Sequence, residues 1–370
     1  MRKKVCMLIM PALFSGGAEK QYRYIMEAAS ASKNKVIVLL LNVPAQSEKT
    51  ITMQFMKDHP DIEFHQLDGR VMSIGKKKKL AIKYEKLRAL FMQRKWIKGF
   101  MKNNTVDVVM FSYVTQLLLV PLFKKKNIKV IFNERNTGRQ ICDKKFKIAL
   151  LKRCDKVISN SSYAAQYIKD KTNIEVSVIN NGIENKQLER KKHIGFNILV
   201  PARVTPIKNQ MLIIKSLQYL NDIELNVYLA GSVEDEDYCC ELKGEAKRLG
   251  VQEKVEFCGY IKDMTQIYSI TDLLILPSFE EGTPNVLLEA YLYGIPAIAS
   301  DIPMNRDCVV NAEMLFYPDR AEELASKIRY IATEMKPETV ELICSDNLKF
   351  VEENYSMETL RKNYNAILFP

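Results

Sequence analysis

Short, near-continuous apolar segments separated by helical spacings recur along the whole chain. This alternation constrains the fold more than any other feature. In the first half the segments are residues 4–10 (KVCMLIM), 35–41 (KVIVLLL), 107–112 (DVVMFS), 128–133 (IKVIFN), 155–160 (DKVISN) and 176–180 (VSVIN). Each is rich in Val and Ile and lacks a polar alternate, the pattern of a parallel strand covered on both faces. A second series follows at 196–201 (FNILVP), 225–231 (LNVYLAG), 255–259 (VEFCG), 273–277 (LLILP) and 296–300 (PAIAS). Between the two series lies the polar stretch NNGIENKQLERKKHIG, residues 180–195, which reads as a linker. The fold class is therefore α/β, with two doubly wound, Rossmann-like domains facing each other across a cleft. The expected boundaries are 1–182 and 196–350. A final capped helix over 356–370 is expected to pack back on the first domain.

Several function classes fall away on composition. No run of 18 apolar residues occurs among the 370, so no membrane-spanning helix is expected. The basic start and short apolar run at the N-terminus read as a first strand rather than a leader. None of the eight cysteines forms a C-x-x-C pair, and they read as buried thiols of a reducing compartment. The three histidines have no metal spacing. Charge is unevenly divided: residues 1–180 hold 35 Lys+Arg against 14 Asp+Glu, a net +21, whereas the remainder is net −10. Such a split points to two domains that face different partners.

Ligands of doubly wound sheets sit beyond the carboxyl ends of the strands, so the polar residues just after each strand are the candidates. After LLILPS comes FEEGTPNVLLEAYLYGIP. Glu281 falls in the loop, and Thr283 or Gly282 is placed to cap a helix with Pro284 in its first turn. Glu289 lies two turns into that otherwise apolar helix. A carboxylate there is costly unless hydrogen-bonded or left facing a wet cleft. Either a structural hydrogen bond or two vicinal ribose hydroxyls would satisfy it. The amides of Thr283, Asn285 and Val286 at the helix start would favour a diphosphate or sugar. After the strand at 196–201, Arg203 and Lys208 follow in PARVTPIKNQ. They are either exposed surface cations or the neutralising pair for a diphosphate, Arg as a fork and Lys as a point charge. After the first strand, Gly16 and Gly17 permit close backbone approach to a ligand, although neither G-x-G-x-x-G nor a P-loop is present.

The set SGGAE, NNGI, PARVTPIKNQ and EGTPNVLLEA…GIPAIAS resembles the retaining glycosyltransferases of sequence family four, which have the GT-B fold. The resemblance spans nearly the whole chain. It implies that Glu281, first of a Glu-x7-Glu pair, contacts the transferred sugar and that Glu289 holds the nucleotide ribose. It also implies that Arg203 and Lys208 bind the donor diphosphate, that Gly16 and Gly17 lie near the same phosphates, and that Ile261 lies near the base. Relatives with a histidine near the sugar differ from this chain, which carries NERNTG instead. That segment is similar to relatives extending surface-polysaccharide or lipid-linked chains, and Glu134 and Arg135 would orient acceptor or sugar, unless they form a structural ion pair. The implied reaction moves a sugar, expected from a UDP-sugar co-substrate, to a saccharide hydroxyl without a cofactor or metal. A sugar-nucleotide epimerase of the same fold, or a non-catalytic nucleotide-sugar-binding subunit, is the alternative. Asp235 and Asp237 in EDED read as acids at a helix N-terminus rather than metal ligands.

The stretch from Gly75 to Phe100, GKKKKLAIKYEKLRALFMQRKWIKGF, mixes many cations with Leu80, Ile82, Leu87, Leu90, Phe91, Trp96 and Ile97. At helical spacing it is a basic amphipathic segment suited to an anionic membrane, with Lys124 to Lys126 adding charge. The other reading is a core-packed helix with a solvated basic face. No nucleic-acid module accompanies it. The expected setting is the cytoplasm, peripheral to the inner face of the plasma membrane, with a lipid-linked saccharide as acceptor.

Overall fold

The structure, a computed structural model, describes residues 2–11, 17–41, 53–67, 79–184 and 188–369. They divide into two compact units, one comprising Met1–Gly182 with Met357–Pro370 and the other Ile183–Ser356.

Unit one is built on seven parallel strands: β1 (Val5–Met10), β2 (Lys35–Leu40), β3 (Ile62–Gln66), β4 (Val108–Phe111), β5 (Lys129–Glu134), β6 (Lys156–Ser159) and β7 (Val176–Val178). Their order is β3-β2-β1-β4-β5-β6-β7. Central strands such as β1 and β4 are buried along nearly their whole length, which is why they read as unbroken apolar runs. Strand β3 (IEFHQ) is an edge strand whose residues after Ile62 are only partly buried, so its apolar signal is diluted and the sequence pattern does not reveal it. Helix α1 (Gly17–Ser30) covers one face, and α2 (Lys79–Asn103) and α3 (Ser162–Thr172) contribute to the cover elsewhere.

The C-terminal helix Met357–Leu368 belongs to this unit. Leu360, Tyr364 and Leu368, at four-residue spacing, are almost fully buried in the same cluster as Tyr22 and Ile25 of α1. The Tyr364 hydroxyl accepts from Asn133 Nδ2 at 3.1 Å. Lys129 Nζ donates to the Ile367 carbonyl at 3.0 Å. A Cβ at Gly182 would stand 2.7 Å from Met357 Sδ, so the first unit ends in close contact with that helix.

The amphipathic reading of α2 is corrected by burial. Leu90, Trp96 and Ile97 do not face outward: Ile97 is buried and the other two pack against the core, together with Phe100 and buried Met101. Among the residues of α2 whose side chains are described, Leu87 and Phe91, 66% and 69% exposed, carry large apolar side chains outward. The side chains of Leu80 and Ile82, and residues 75–78 entirely, lie outside the described residues. Lys124 is drawn to Asp155 and Lys126 to the Met101 carbonyl, so they do not extend a free basic face.

Unit two holds six parallel strands: β8 (Phe196–Pro201), β9 (Leu225–Ala230), β10 (Val255–Gly259), β11 (Leu273–Leu276), β12 (Ala297–Ser300) and the two-residue β13 (Leu315–Phe316). Their order is β10-β9-β8-β11-β12-β13. Its main helices are α4 (Gln210–Leu217), α5 (Glu236–Arg248), α6 (Asn285–Leu292) and α7 (Pro337–Tyr355). Residues Arg190 and His193 of the supposed linker are fastened to this unit. Arg190 donates to the Tyr268 and Thr271 carbonyls and pairs with Asp272, and His193 also meets Asp272. All eight cysteines are free; Cys240 is exposed, contrary to the reading of uniformly buried thiols, because it sits one helical step away from buried Cys239 on α5. Among the described residues no helix is long and apolar enough to cross a membrane.

Candidate active site

Strand β8 pairs with β9 on one side and β11 on the other. The strand order reverses there, so the loops leaving β8 and β11 diverge to opposite faces and open a crevice at the carboxyl edge. Arg203 and Lys208 leave β8; Glu281 leaves β11. Lys208 Nζ and Glu281 Oε1 meet at 2.7 Å, with side chains 16% and 12% exposed. Two residues 73 positions apart are brought together because β8 and β11 pair and their loops leave side by side.

The β8 loop is held rigidly. A 3₁₀ turn at Pro206–Lys208 ends at Asn209, whose φ of 54° is left-handed. Buried Asn209 donates through Nδ2 to the Pro277 and Pro318 carbonyls, tying the β8, β11 and β13 loops together. The Phe279 amide donates to the Ile207 carbonyl at 2.9 Å. Gln210 Nε2 donates to the Arg203 carbonyl at 2.9 Å. On the other side, Gly231 ends β9 so close to this loop that a Cβ there would lie 2.0 Å from the Ala202 carbonyl oxygen. Asn209, Gln210 and Gly231 carry no chemistry of their own in the sequence. Only the left-handed Asn after a Pro-x-Lys turn is a signal that sequence reading could have used.

Arg203 faces outward, its side chain 61% exposed, and Nη1 contacts Glu234 Oε1 at 2.6 Å. An exposed pair of this kind contributes about 0–1 kcal/mol, so a multiply charged anion competes readily for the guanidinium. Asp235 caps α5 by accepting from the Tyr238 amide at 3.0 Å, with Glu236 and Asp237 in the first turn.

The β11 loop differs in detail from the sequence reading. Helix α6 begins at Asn285, with Pro284 at the capping position. The Asn285 amide donates to the Thr283 carbonyl at 2.9 Å, so it is turned inward rather than presented to a ligand. The tight turn around Pro284, which has no amide of its own, supplies its carbonyl to Leu287 and delays the helix start. Gly282, Thr283 and Val286 are partly exposed around this turn. Glu289 is half-buried on α6, and its Oε2 accepts from the Tyr268 hydroxyl at 3.1 Å. Tyr268 was not singled out by sequence; it precedes Glu289 by 21 positions with no periodic link to it. Ile261 packs against the β11–α6 cluster beyond the end of β10.

In unit one, Gly16 lies outside the described residues and Gly17 opens α1. Glu134, the last residue of β5, is 2% exposed. Its Oε1 accepts from the Asn136 and Gly138 amides at 2.8 and 3.4 Å, while Oε2 is buried without a partner. Burial pushes this carboxyl above the usual range, opposed by those two amides. Arg135 donates to Asn181 Oδ1 at 2.7 Å, so it braces the end of the unit. Among the described residues no group of three His, Cys, Asp or Glu is arranged to hold a metal.

The family model described as Glycosyltransferase Family 4 matches residues 15–187, and the one described as Glycosyl transferases group 1 matches residues 181–342. The chain belongs to the GT-B glycosyltransferases of family four. An uncharacterized glycosyltransferase of Haemophilus influenzae is 23% identical, covering 93% of this chain and 98% of its own. The O-antigen chain mannosyltransferase RfbU of Salmonella typhimurium is 25% identical over 56% of this chain and 61% of its own. An Escherichia coli UDP-Gal:α-D-GlcNAc-diphosphoundecaprenol α-1,3-galactosyltransferase is 28% identical over 38% of this chain and 40% of its own. Among solved structures, Anabaena HepE in complex with UDP and glucose superposes with a TM-score of 0.78 at 18% identity, covering 99% of both chains. The glycosyltransferase thus has Glu281 and its two cations on loops leaving one sheet edge, with Glu289 on the helix that follows.

The close approach at Gly231 yields a direct test of how this edge is built. Gly231→Ala is expected to cost about 1–3 kcal/mol through overpacking against the Ala202 carbonyl. Thermal unfolding measures it, and an unchanged midpoint would show that the loop yields freely.

Proposed function

We propose that this glycosyltransferase moves a sugar from a nucleotide diphosphate sugar, a UDP-sugar, to a hydroxyl of a lipid-linked saccharide acceptor, with retained anomeric configuration, in surface-polysaccharide assembly. The observation that carries the reading is the Lys208–Glu281 contact at the strand-order reversal, with Arg203 on the same loop. A diphosphate entering this edge meets an ammonium and a guanidinium, which offset the charge that develops as it leaves. Glu281, held against Lys208, is placed to accept from a sugar hydroxyl once phosphate draws the ammonium away. The acceptor oxygen bonds to the anomeric carbon as the bond from that carbon to the diphosphate oxygen breaks. The hydroxyl proton passes to a phosphate oxygen of the leaving nucleotide, so no side chain has to act as base.

The named substrates of relatives support the finer choices. The E. coli relative's name carries a UDP-sugar and a diphosphoundecaprenol-linked acceptor, RfbU is an O-antigen enzyme, and HepE was solved with UDP and glucose. Leu87 and Phe91 on the outer face of α2, with exposed Arg88, Lys95 and Lys98 beside them, support docking at an anionic membrane from the cytoplasmic side. The role of Glu134 and Arg135 in this scheme is to shape the loop after β5 on the acceptor side.

Arg203→Ala and Lys208→Ala are each expected to lower kcat/KM by about 100-fold or more while the protein stays folded; full transfer rates in both would refute the assignment. With two side-chain cations at the diphosphate, activity is expected to survive excess chelator, and a rate that collapses and returns with a divalent ion would contradict this. Replacing both Leu87 and Phe91 by Ser is expected to weaken sedimentation with phosphatidylglycerol vesicles about tenfold or more. Unaltered vesicle binding would remove α2 from the docking surface.

A further inference from the structure

We infer that Tyr268 is a positioning residue: its buried hydroxyl fixes the carboxylate of Glu289 so that the site prefers ribonucleotide over deoxyribonucleotide donors. The inference rests on the reading of Glu289 as the ribose acceptor and goes beyond it, because it assigns the preference to a residue that does not touch the nucleotide. Tyr268 is 1% exposed and donates to Glu289 Oε2 at 3.1 Å. Its ring lies against Tyr293, with centroids 5.0 Å apart. Its helical turn is clamped from behind, since Arg190 donates to the Tyr268 carbonyl at 3.2 Å. The hydroxyl is therefore fixed on both the ring and the backbone side.

A glutamate on a helix has three side-chain torsions, and an unrestrained one samples several rotamers. Two vicinal hydroxyls require a carboxylate in a single orientation. A donor locked onto Oε2 removes that freedom before the ligand arrives, which is how a positioned group adds affinity without touching the ligand. Burial and the neighbouring Glu289 carboxylate raise the Tyr268 phenol well above its usual range, so it remains a donor throughout the physiological range. Tyr293, pushed up to about 12 by burial and by the carboxylates of Glu289, Asp263 and Glu184, stays neutral as well.

The experiment is calorimetric titration of the full chain with UDP and GDP, each beside its 2′,3′-dideoxy form, for wild type, Tyr268→Phe and Tyr293→Phe. Wild type is expected to bind one ribonucleotide about tenfold more tightly than its dideoxy form. In Tyr268→Phe the ribonucleotide should weaken about tenfold and the dideoxy form should hardly change, so the preference collapses. Donor KM should rise with kcat little altered. Tyr293→Phe, which keeps its ring against Tyr268, should retain the preference. A general structural loss would weaken both nucleotides alike and overturn the inference, as would a preserved tenfold preference in Tyr268→Phe. If Tyr268→Phe does not fold, Glu289→Asp, which draws the carboxylate away from Tyr268, must show the same collapse. A wild type that binds both forms equally refutes the ribose reading of Glu289 itself. One that binds neither UDP nor GDP refutes the donor site.

Discussion

The pairing of β8 with both β9 and β11 is the constraint on which the site depends. Parallel strands all exit at one edge, and at a reversal of strand order the two adjacent exits separate instead of crossing. That topology lets a cation-bearing loop and a carboxylate-bearing loop face one crevice. Had β11 been placed beyond β9, Lys208 and Glu281 would leave the sheet with another strand between them. The hydrophobic cores on the two faces of the sheet hold the arrangement, because Ile198, Val200 and Ile275 are sealed on one face and Leu199, Leu274 and Leu276 on the other.

Charge then sorts the residues by role. The Lys208–Glu281 pair is largely shielded, so each group leans on the other, and removing one leaves a poorly solvated charge. The Arg203–Glu234 pair is open to water and weakly held. In the proposed reading an incoming diphosphate recruits the second at little cost, whereas engaging the first means replacing a local partner.

The two strand series are legible in the sequence because strands covered on both faces leave unbroken apolar runs, and Glu281, Glu289, Arg203 and Lys208 are singled out there because their spacing resembles a known family. What the sequence does not mark depends on distant partners. Strand β3 is half-exposed at a sheet edge, and β13 is only two residues long. Tyr268, Asn209 and Gly231 matter through what they touch across the sheet, and apart from the Pro-x-Lys turn before Asn209 nothing in their own neighbourhoods marks them. For helix α2 the sequence left a membrane-facing and a core-packed reading open; Trp96 and Ile97 cover the sheet, and among the residues whose side chains are described Leu87 and Phe91 are the exposed large hydrophobics. The start of α6 was misplaced because Thr283 is a good capping residue by type, while the turn at Pro284 decides where the helix can begin.

The central claim is that Lys208 and Arg203 form the diphosphate cradle at the β8–β11 reversal. A crystal structure of the full chain with UDP tests it most directly. The account predicts the β-phosphate within hydrogen-bond reach of both Lys208 Nζ and the Arg203 guanidinium, with Arg203 released from Glu234. A diphosphate bound elsewhere, with the Lys208–Glu281 and Arg203–Glu234 contacts unchanged, would contradict it.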